Sequence, residues 1–189
     1  LLSSQANVQA ERGAQTEALA LFDRVIALAR EADRPADERV GRQNRATILW
    51  EMGRFRSARE ELDRVQPLLE RDAQVEPRVQ YHRLASSIAR DLGDLETARD
   101  ELLTARSLLQ EAQLPSEQAA LLLDLAVLYD RLGAHGRARE AAEQSHDLAV
   151  ELGDQGLETA ALRTAALALW GEGRLDEARA RVETALELD

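Results

Sequence analysis

Leu92-Gly93-Asp94-Leu95-Glu96-Thr97-Ala98-Arg99, LGDLETAR, sets a glycine two residues ahead of an apolar residue and five ahead of an alanine. The same frame stands forty residues to either side, as Met52-Gly53-Arg54-Phe55-Arg56-Ser57-Ala58-Arg59 and Leu132-Gly133-Ala134-His135-Gly136-Arg137-Ala138-Arg139. Carried to both ends, the spacing of 40 gives Gly13, Gly53, Gly93, Gly133 and Gly173. Five residues after each comes Ala18, Ala58, Ala98, Ala138 and Ala178; seven before each comes a small residue, Ala6, Ala46, Ser86, Ala126 and Ala166. The slot two after the glycine, filled by Gln15, Phe55, Leu95, His135 and Leu175, is apolar in three of the five copies. A period in this range is the mark of a repeat architecture.

One copy can be built from its chemistry. Upstream of each glycine apolar residues recur at helical spacing, as in Leu121, Leu122, Leu125, Ala126, Leu128, Tyr129 and Leu132. The glycine can take the left-handed conformation that ends such a helix. A second helix follows at once; in the third copy Leu95, Ala98, Leu102, Ala105 and Leu109 form its apolar stripe. The small residue before the glycine and the alanine after it are expected to face each other, where bulk would hold the helices apart. A hairpin of about 40 residues leaves apolar surface on both sides, and stacking on its neighbours covers it. The expected units are 1–34, 35–74, 75–114, 115–154 and 155–189, in a single array over 1–189. Junctions at Asp33-Arg34-Pro35, Val75-Glu76-Pro77, Leu114-Pro115-Ser116 and Leu152-Gly153-Asp154 read as helix starts, since proline in a first turn wastes no hydrogen bond. Pro67, inside the second helix of unit two, predicts a kink or an early end.

Composition narrows function. Aromatics are 3% of the chain and Ala, Leu, Glu and Arg dominate, a helix-forming mixture. The net charge of −11 argues against direct nucleic-acid binding, which needs a basic face for phosphates. All 24 basic residues are arginine, a usage that matches GC-rich codon bias. Without cysteine there is no disulfide framework, thiolate metal site or cysteine nucleophile. No run approaches the ~18 apolar residues of a membrane span, and no signal-peptide pattern opens the chain. A cytoplasmic protein with no membrane partner is the expectation. Leu1 in place of Met suggests a segment trimmed from something longer.

Small residue, seven positions, glycine, an apolar or aromatic residue two on, alanine five on: this pattern resembles the tetratricopeptide repeat (TPR). The match is good at LGDLETA, MGRFRSA and GEGRLDEA and looser at RGAQTEA and LGAHGRA. The position twelve after the glycine, small in the family, is Val25, Val65, Ala105, Ser145 and Ala185; the one nine after it is Phe22, Leu62, Leu102, Ala142 and Val182. The period of 40 exceeds the family's usual 34, and the aromatics of its first helix are mostly aliphatic here. Both traits are similar to long TPR-like arrays of bacterial multidomain regulators. HEAT-type repeats share the period but not the turn signature. The resemblance implies an all-α, right-handed solenoid of five hairpins and about ten helices, working as a non-catalytic protein-interaction scaffold or as the sensor part of a larger regulator.

Chemistry-bearing patterns are absent. His82, His135 and His146 fall in three units and phases, and read as a packing residue, a turn residue and a solvated surface residue. Glu143-Gln144-Ser145-His146 has no second copy to complete a di-metal site. Gly171-Glu172-Gly173 follows no strand and is no phosphate cradle. No catalytic residue, cofactor or metal is expected. In a TPR-like array the first helices line the concave side, and positions ten, six and three before each glycine face inward. They are Gln43, Thr47 and Trp50; Arg83, Ser87 and Arg90; Leu123, Val127 and Asp130; Arg163, Leu167 and Trp170; and Ser3, Asn7 and Ala10 in unit one. The groove so drawn has tryptophan near its ends, a basic centre at Arg83 and Arg90 and an apolar patch at Leu123 and Val127. It suits a peptide or helix of a partner protein. The family's Lys/Asn carboxylate clamp is missing, though arginine could attract an acidic segment. Self-association through the chain ends is a further possibility.

Overall fold

A computed structural model describes residues 2–11, 13–69, 74–110 and 112–188. The side chains of Ser3, Asn7 and Ala10 lie outside the described residues. The chain divides into two compact units, residues 1–77 and 78–189. The first holds α1 (Leu2–Glu11), α2 (Gln15–Glu31), α3 (Pro35–Glu51) and α4 (Phe55–Leu69). The second is built from α5 (Val75–Asp91), α6 (Leu95–Leu109), α7 (Pro115–Arg131), α8 (His135–Leu152), α9 (Gln155–Gly171) and α10 (Leu175–Leu188). Every regular element among the described residues is a helix, as the composition predicts.

LGDLETAR is the hairpin turn. Gly93 sits at φ +88° and its N–H donates to the Arg90 carbonyl at 3.0 Å, while the Asp94 N–H reaches back to Ala89 O at 2.9 Å. Two orphan carbonyls of α5 are thereby satisfied. Asp94 at once caps α6: its carboxylate accepts from the Thr97 N–H at 3.0 Å and from the Thr97 hydroxyl at 2.7 Å. Ala98, fully buried, meets Ser86 on the facing helix, whose hydroxyl donates to the Ala98 carbonyl at 2.8 Å. The two small-residue slots do face each other. All ten residues in these slots are buried across the five copies, and all five turn glycines have positive φ.

Two hairpins also hold a lateral contact between the positions eleven before and eight after the glycine. In unit two of the repeat it is an ion pair, Arg42 Nη1 to Glu61 Oε1 at 2.8 Å. In unit three it is His82 Nδ1 to Glu101 Oε2 at 2.7 Å. In unit four the same slots are Leu122 and Ala141. Glu61 is only 2% exposed and accepts from Arg45 (2.6 Å) and Arg64 (2.8 Å) as well. Arg42 is further held by Glu38 at 2.9 Å, and Arg45 by Asp23 at 2.9 Å. Burial pushes the Glu61 carboxyl up, but hydrogen bonds and charge from Arg64, Arg45 and Arg42 outweigh it and hold the group below the usual carboxylate range.

Pro35 and Pro115 open α3 and α7, and Asp154 caps α9 by accepting from the Leu157 N–H at 3.0 Å. Helix α4 runs through Pro67 to Leu69 and is as long as α6, 15 residues each, so the early end expected at Pro67 does not occur. Pro67 falls in the last turn and costs a single backbone hydrogen bond. No described helix is long and apolar enough to cross a membrane.

Candidate interaction face

The first helices α5, α7 and α9 of the second unit carry nine of the inward positions. On α9, Trp170 is 68% exposed and Leu167 57% exposed. Leu123 and Val127 on α7 are half-buried. An indole left this far in water is unusual for a side chain of its apolar area. Arg163, one turn before Leu167, is exposed, and Asp130 Oδ1 accepts from the His135 ring, with Nδ1 at 3.0 Å.

The α5 end differs from the sequence expectation. Ser87 is buried. Arg83 is not an open cation: Nε donates to Asp124 Oδ2 at 2.6 Å and Nη1 to Glu117 Oε2 at 3.2 Å, both on α7. Glu117 also accepts from the Gln80 amide at 3.0 Å. Arg90 is held by Asp91 through Nε at 3.1 Å and Nη2 at 3.2 Å. The basic centre is therefore internally neutralised, and its pull on an acidic segment is largely spent. Burial pushes the Asp124 carboxyl up, against the opposing pull of Arg83 and Arg90. Asp124 and Glu117 are the partners of Arg83 that sequence reasoning missed. A period of 40 places residues i and i+41 side by side on successive first helices, and Arg83 with Asp124 has that separation.

In the first unit Gln43 is buried, Thr47 donates its hydroxyl to the Gln43 carbonyl at 3.2 Å, and Trp50 is half-buried. These three belong more to packing than to an open surface. Of the histidines, His82 bonds Glu101 and meets the Tyr81 ring edge-on at 5.2 Å. His135 starts α8, a turn position as expected. His146 is half-buried rather than solvated, with Glu158 Oε1 at 3.8 Å from its Nε2. Among the described residues no three His, Asp or Glu side chains are grouped to hold a metal ion.

A separate cavity of about 390 Å³ lies among α8, α9 and α10. Ala161, Leu162 and Ala165 line it together with Glu143, His146, Asp147 and Arg181. Ala161 and Ala165 occupy slots that hold Leu121 and Leu125 one repeat earlier.

Solved structures place this geometry. BtubC (BKLC) from P. vanneervenii superposes with a TM-score of 0.79 at 18% identity, covering 99% of this chain and 78% of that one. A STAND signal transduction ATPase with a tetratricopeptide repeat sensor, PH0952 from Pyrococcus horikoshii, matches with a TM-score of 0.76 at 15% identity, over 99% of this chain and 28% of that one. The fold is the tetratricopeptide-repeat fold. Bacillus thuringiensis PlcR, solved in complex with the peptide PapR7 and DNA, has the same arrangement with a TM-score of 0.77 at 10% identity, over 99% of this chain and 70% of that one. No family profile and no curated protein sequence matches the chain. At these identities the likeness is one of fold, and TPR geometry explains the repeat slots without assigning a ligand to them.

Proposed function

We propose that the protein is a non-catalytic interaction module whose second unit binds a peptide or helix of a partner protein across α7 and α9. The observation that carries this reading is the exposure of Trp170 and Leu167 on α9, a helix that packs against α7, which carries the half-buried Leu123 and Val127. Large apolar side chains exposed together mark an association surface, and tryptophan is over-represented among binding hot spots. The neutralised α5 end favours a partner with apolar anchors over one recruited by negative charge. A TPR-fold neighbour solved with a peptide, PlcR, supports peptide recognition as a use of such helices. The test is tryptophan fluorescence in a Trp50→Phe background, so that Trp170 alone reports. A binding partner should shift its emission to the blue, and Leu167→Ala should weaken binding by about tenfold. Unchanged emission on saturation with a captured partner would remove Trp170 from the interface.

A second reading, an effector-sensing part of a larger regulator, is favoured by the cavity among α8, α9 and α10. Its volume lies in the range of small-molecule sites, and both charged and apolar side chains line it. A STAND protein with a TPR sensor, of which this chain spans 28%, is the corresponding precedent in fold. Ala161→Leu with Ala165→Leu would fill the cavity; loss of an effector response with partner binding intact would favour this reading.

A further inference from the structure

The cavity among α8, α9 and α10 has charge of both signs on its lining, and two of those charges are only loosely paired. Arg181 on α10 stands eight residues after its glycine, the slot that Glu61 and Glu101 fill in the second and third hairpins. There the residue eleven before the glycine answers it, Arg42 in one and His82 in the other. In the fifth hairpin that residue is Leu162, whose side chain has no polar atom. Among the described residues the Arg181 guanidinium meets only Glu143 on α8, with Nη2 at 3.7 Å from Oε1, beyond hydrogen-bond distance. Glu143 is itself held in place, since its Oε2 accepts from Arg139 Nη1 at 2.8 Å. Its Oε1 accepts no hydrogen bond from the described residues.

A ligand for this site has to answer both groups. A plain anion would find Arg181 but meet the carboxylates of Glu143 and Asp147, and a plain cation would meet the Arg181 guanidinium. A zwitterion suits both: its carboxylate lies on the guanidinium fork and its ammonium group on Glu143 Oε1, so four charges alternate in sign around a square. With Nη2 and Oε1 3.7 Å apart, the two ligand charges must stand close together, as they do when one carbon carries both. The side chains lining the cavity from α9 are Ala161, Leu162 and Ala165, all aliphatic, so what the ligand turns towards α9 is hydrocarbon. A volume of about 390 Å³ falls in the lower part of the roughly 300–1,000 Å³ range of ligand pockets, which suits a small metabolite. Every lining residue lies on α8, α9 or α10, within the second unit. We infer that the cavity binds a free aliphatic α-amino acid, Arg181 taking its carboxylate and Glu143 its ammonium group. This rests on the effector-sensing reading and gives that effector its chemistry.

Isothermal titration calorimetry of the whole chain with L-leucine tests this, and a Kd of about 10 μM to 1 mM is expected. Three controls take the ligand apart. 4-Methylpentanoate lacks the ammonium group, 3-methylbutylamine lacks the carboxylate, and 6-aminohexanoate, an isomer of leucine, holds its charges far apart. Each should bind at least about tenfold more weakly than L-leucine. Arg181→Gln, which leaves helicity by circular dichroism unchanged, should weaken L-leucine about tenfold without weakening 3-methylbutylamine. A merely structural role for Arg181 would move both. Any control as tight as L-leucine overturns the α-amino acid assignment, and L-leucine binding indifferent to Arg181→Gln overturns the role given to that residue. No binding of L-leucine overturns the proposal. The effector reading is then judged separately, by thermal unfolding with the small-molecule fraction of source-cell extract. If that fraction raises the midpoint of the parent and not of Ala161→Leu with Ala165→Leu, an effector of other chemistry occupies the cavity; if it raises neither, both readings fall.

Discussion

Glu61→Gln is the sharpest probe of the first unit. The carboxylate is 2% exposed and accepts from Arg42, Arg45 and Arg64 at 2.6 to 2.8 Å. Glutamine keeps one acceptor oxygen but turns an amide donor on one of these guanidinium groups. Removing one partner of a buried ion pair costs about 3–5 kcal/mol. Three features reduce that figure here. Arg64 is mostly exposed and can turn to water, Arg42 keeps Glu38 and Arg45 keeps Asp23. A loss of about 2–3 kcal/mol is expected. Arg42→Leu with Glu61→Ala copies the Leu122 and Ala141 arrangement of the fourth repeat and should recover part of it. The pH dependence has a definite sign. The folded-state pKa of Glu61 is lowered, so its stabilisation is present above the ordinary carboxylate range and is lost as pH falls through the folded value. The Gln variant lacks this contribution and should lose less stability on acidification. Urea unfolding at pH 7 and pH 4, in a Trp170→Phe background where Trp50 is the reporter, measures both. A midpoint shift worth less than about 0.5 kcal/mol at pH 7, or parallel acid losses in the two proteins, would refute the account of the cluster.

Gly93→Ala should cost about 1 kcal/mol from its left-handed φ alone, since a Cβ there meets nothing within 4 Å; Gly93→Asn should cost less. Gly171→Ala should change sign with its neighbour. In the parent its Cβ would lie 2.5 Å from His135 Nδ1, driving the ring from Asp130, whereas in a His135→Ser background the better helix former should stabilise by about 0.5–1 kcal/mol in urea unfolding. Arg83→Ala should make stability fall more steeply as pH rises through the acid range. Burial already raises the folded pKa of Asp124, so its ionised form is the disfavoured one, and Arg83 is the main group opposing that shift. Asp124→Asn in the same background should abolish the added slope.

The repeat frame by itself makes the helix pairing legible. Gly93, Asp94, Thr97 and Ala98 each have a local job, and local jobs are written in spacing. The contact between positions eleven before and eight after the glycine is also present in the sequence, as the matched pairs Arg42–Glu61 and His82–Glu101. It escapes a reading of the sequence because polar residues at a helical spacing read equally well as a solvated surface. The pairing of Arg83 with Asp124 and Glu117 depends on how one hairpin stacks on the next, and that offset is a tertiary quantity. Trp50 and Trp170 occupy the same slot, yet one is half-buried and the other open. What stands over a side chain is not part of its own repeat, so exposure in that slot is not written in the pattern. Pro67 looks like a break in the sequence because a proline signals one wherever a helix continues past it; in a last turn it is tolerated.

The most direct test of the interaction account is site-specific photo-crosslinking with the whole chain in extract of its source cell. A photoreactive residue at Leu167 reports on the α7–α9 face. The same group at Val150 or Leu103, exposed on the second helices, gives the controls. The account predicts one discrete adduct at position 167 that disappears with Trp170→Ala, and none of equal yield at 150 or 103. Equal adducts at the control positions, or an adduct at 167 indifferent to Trp170→Ala, would contradict it.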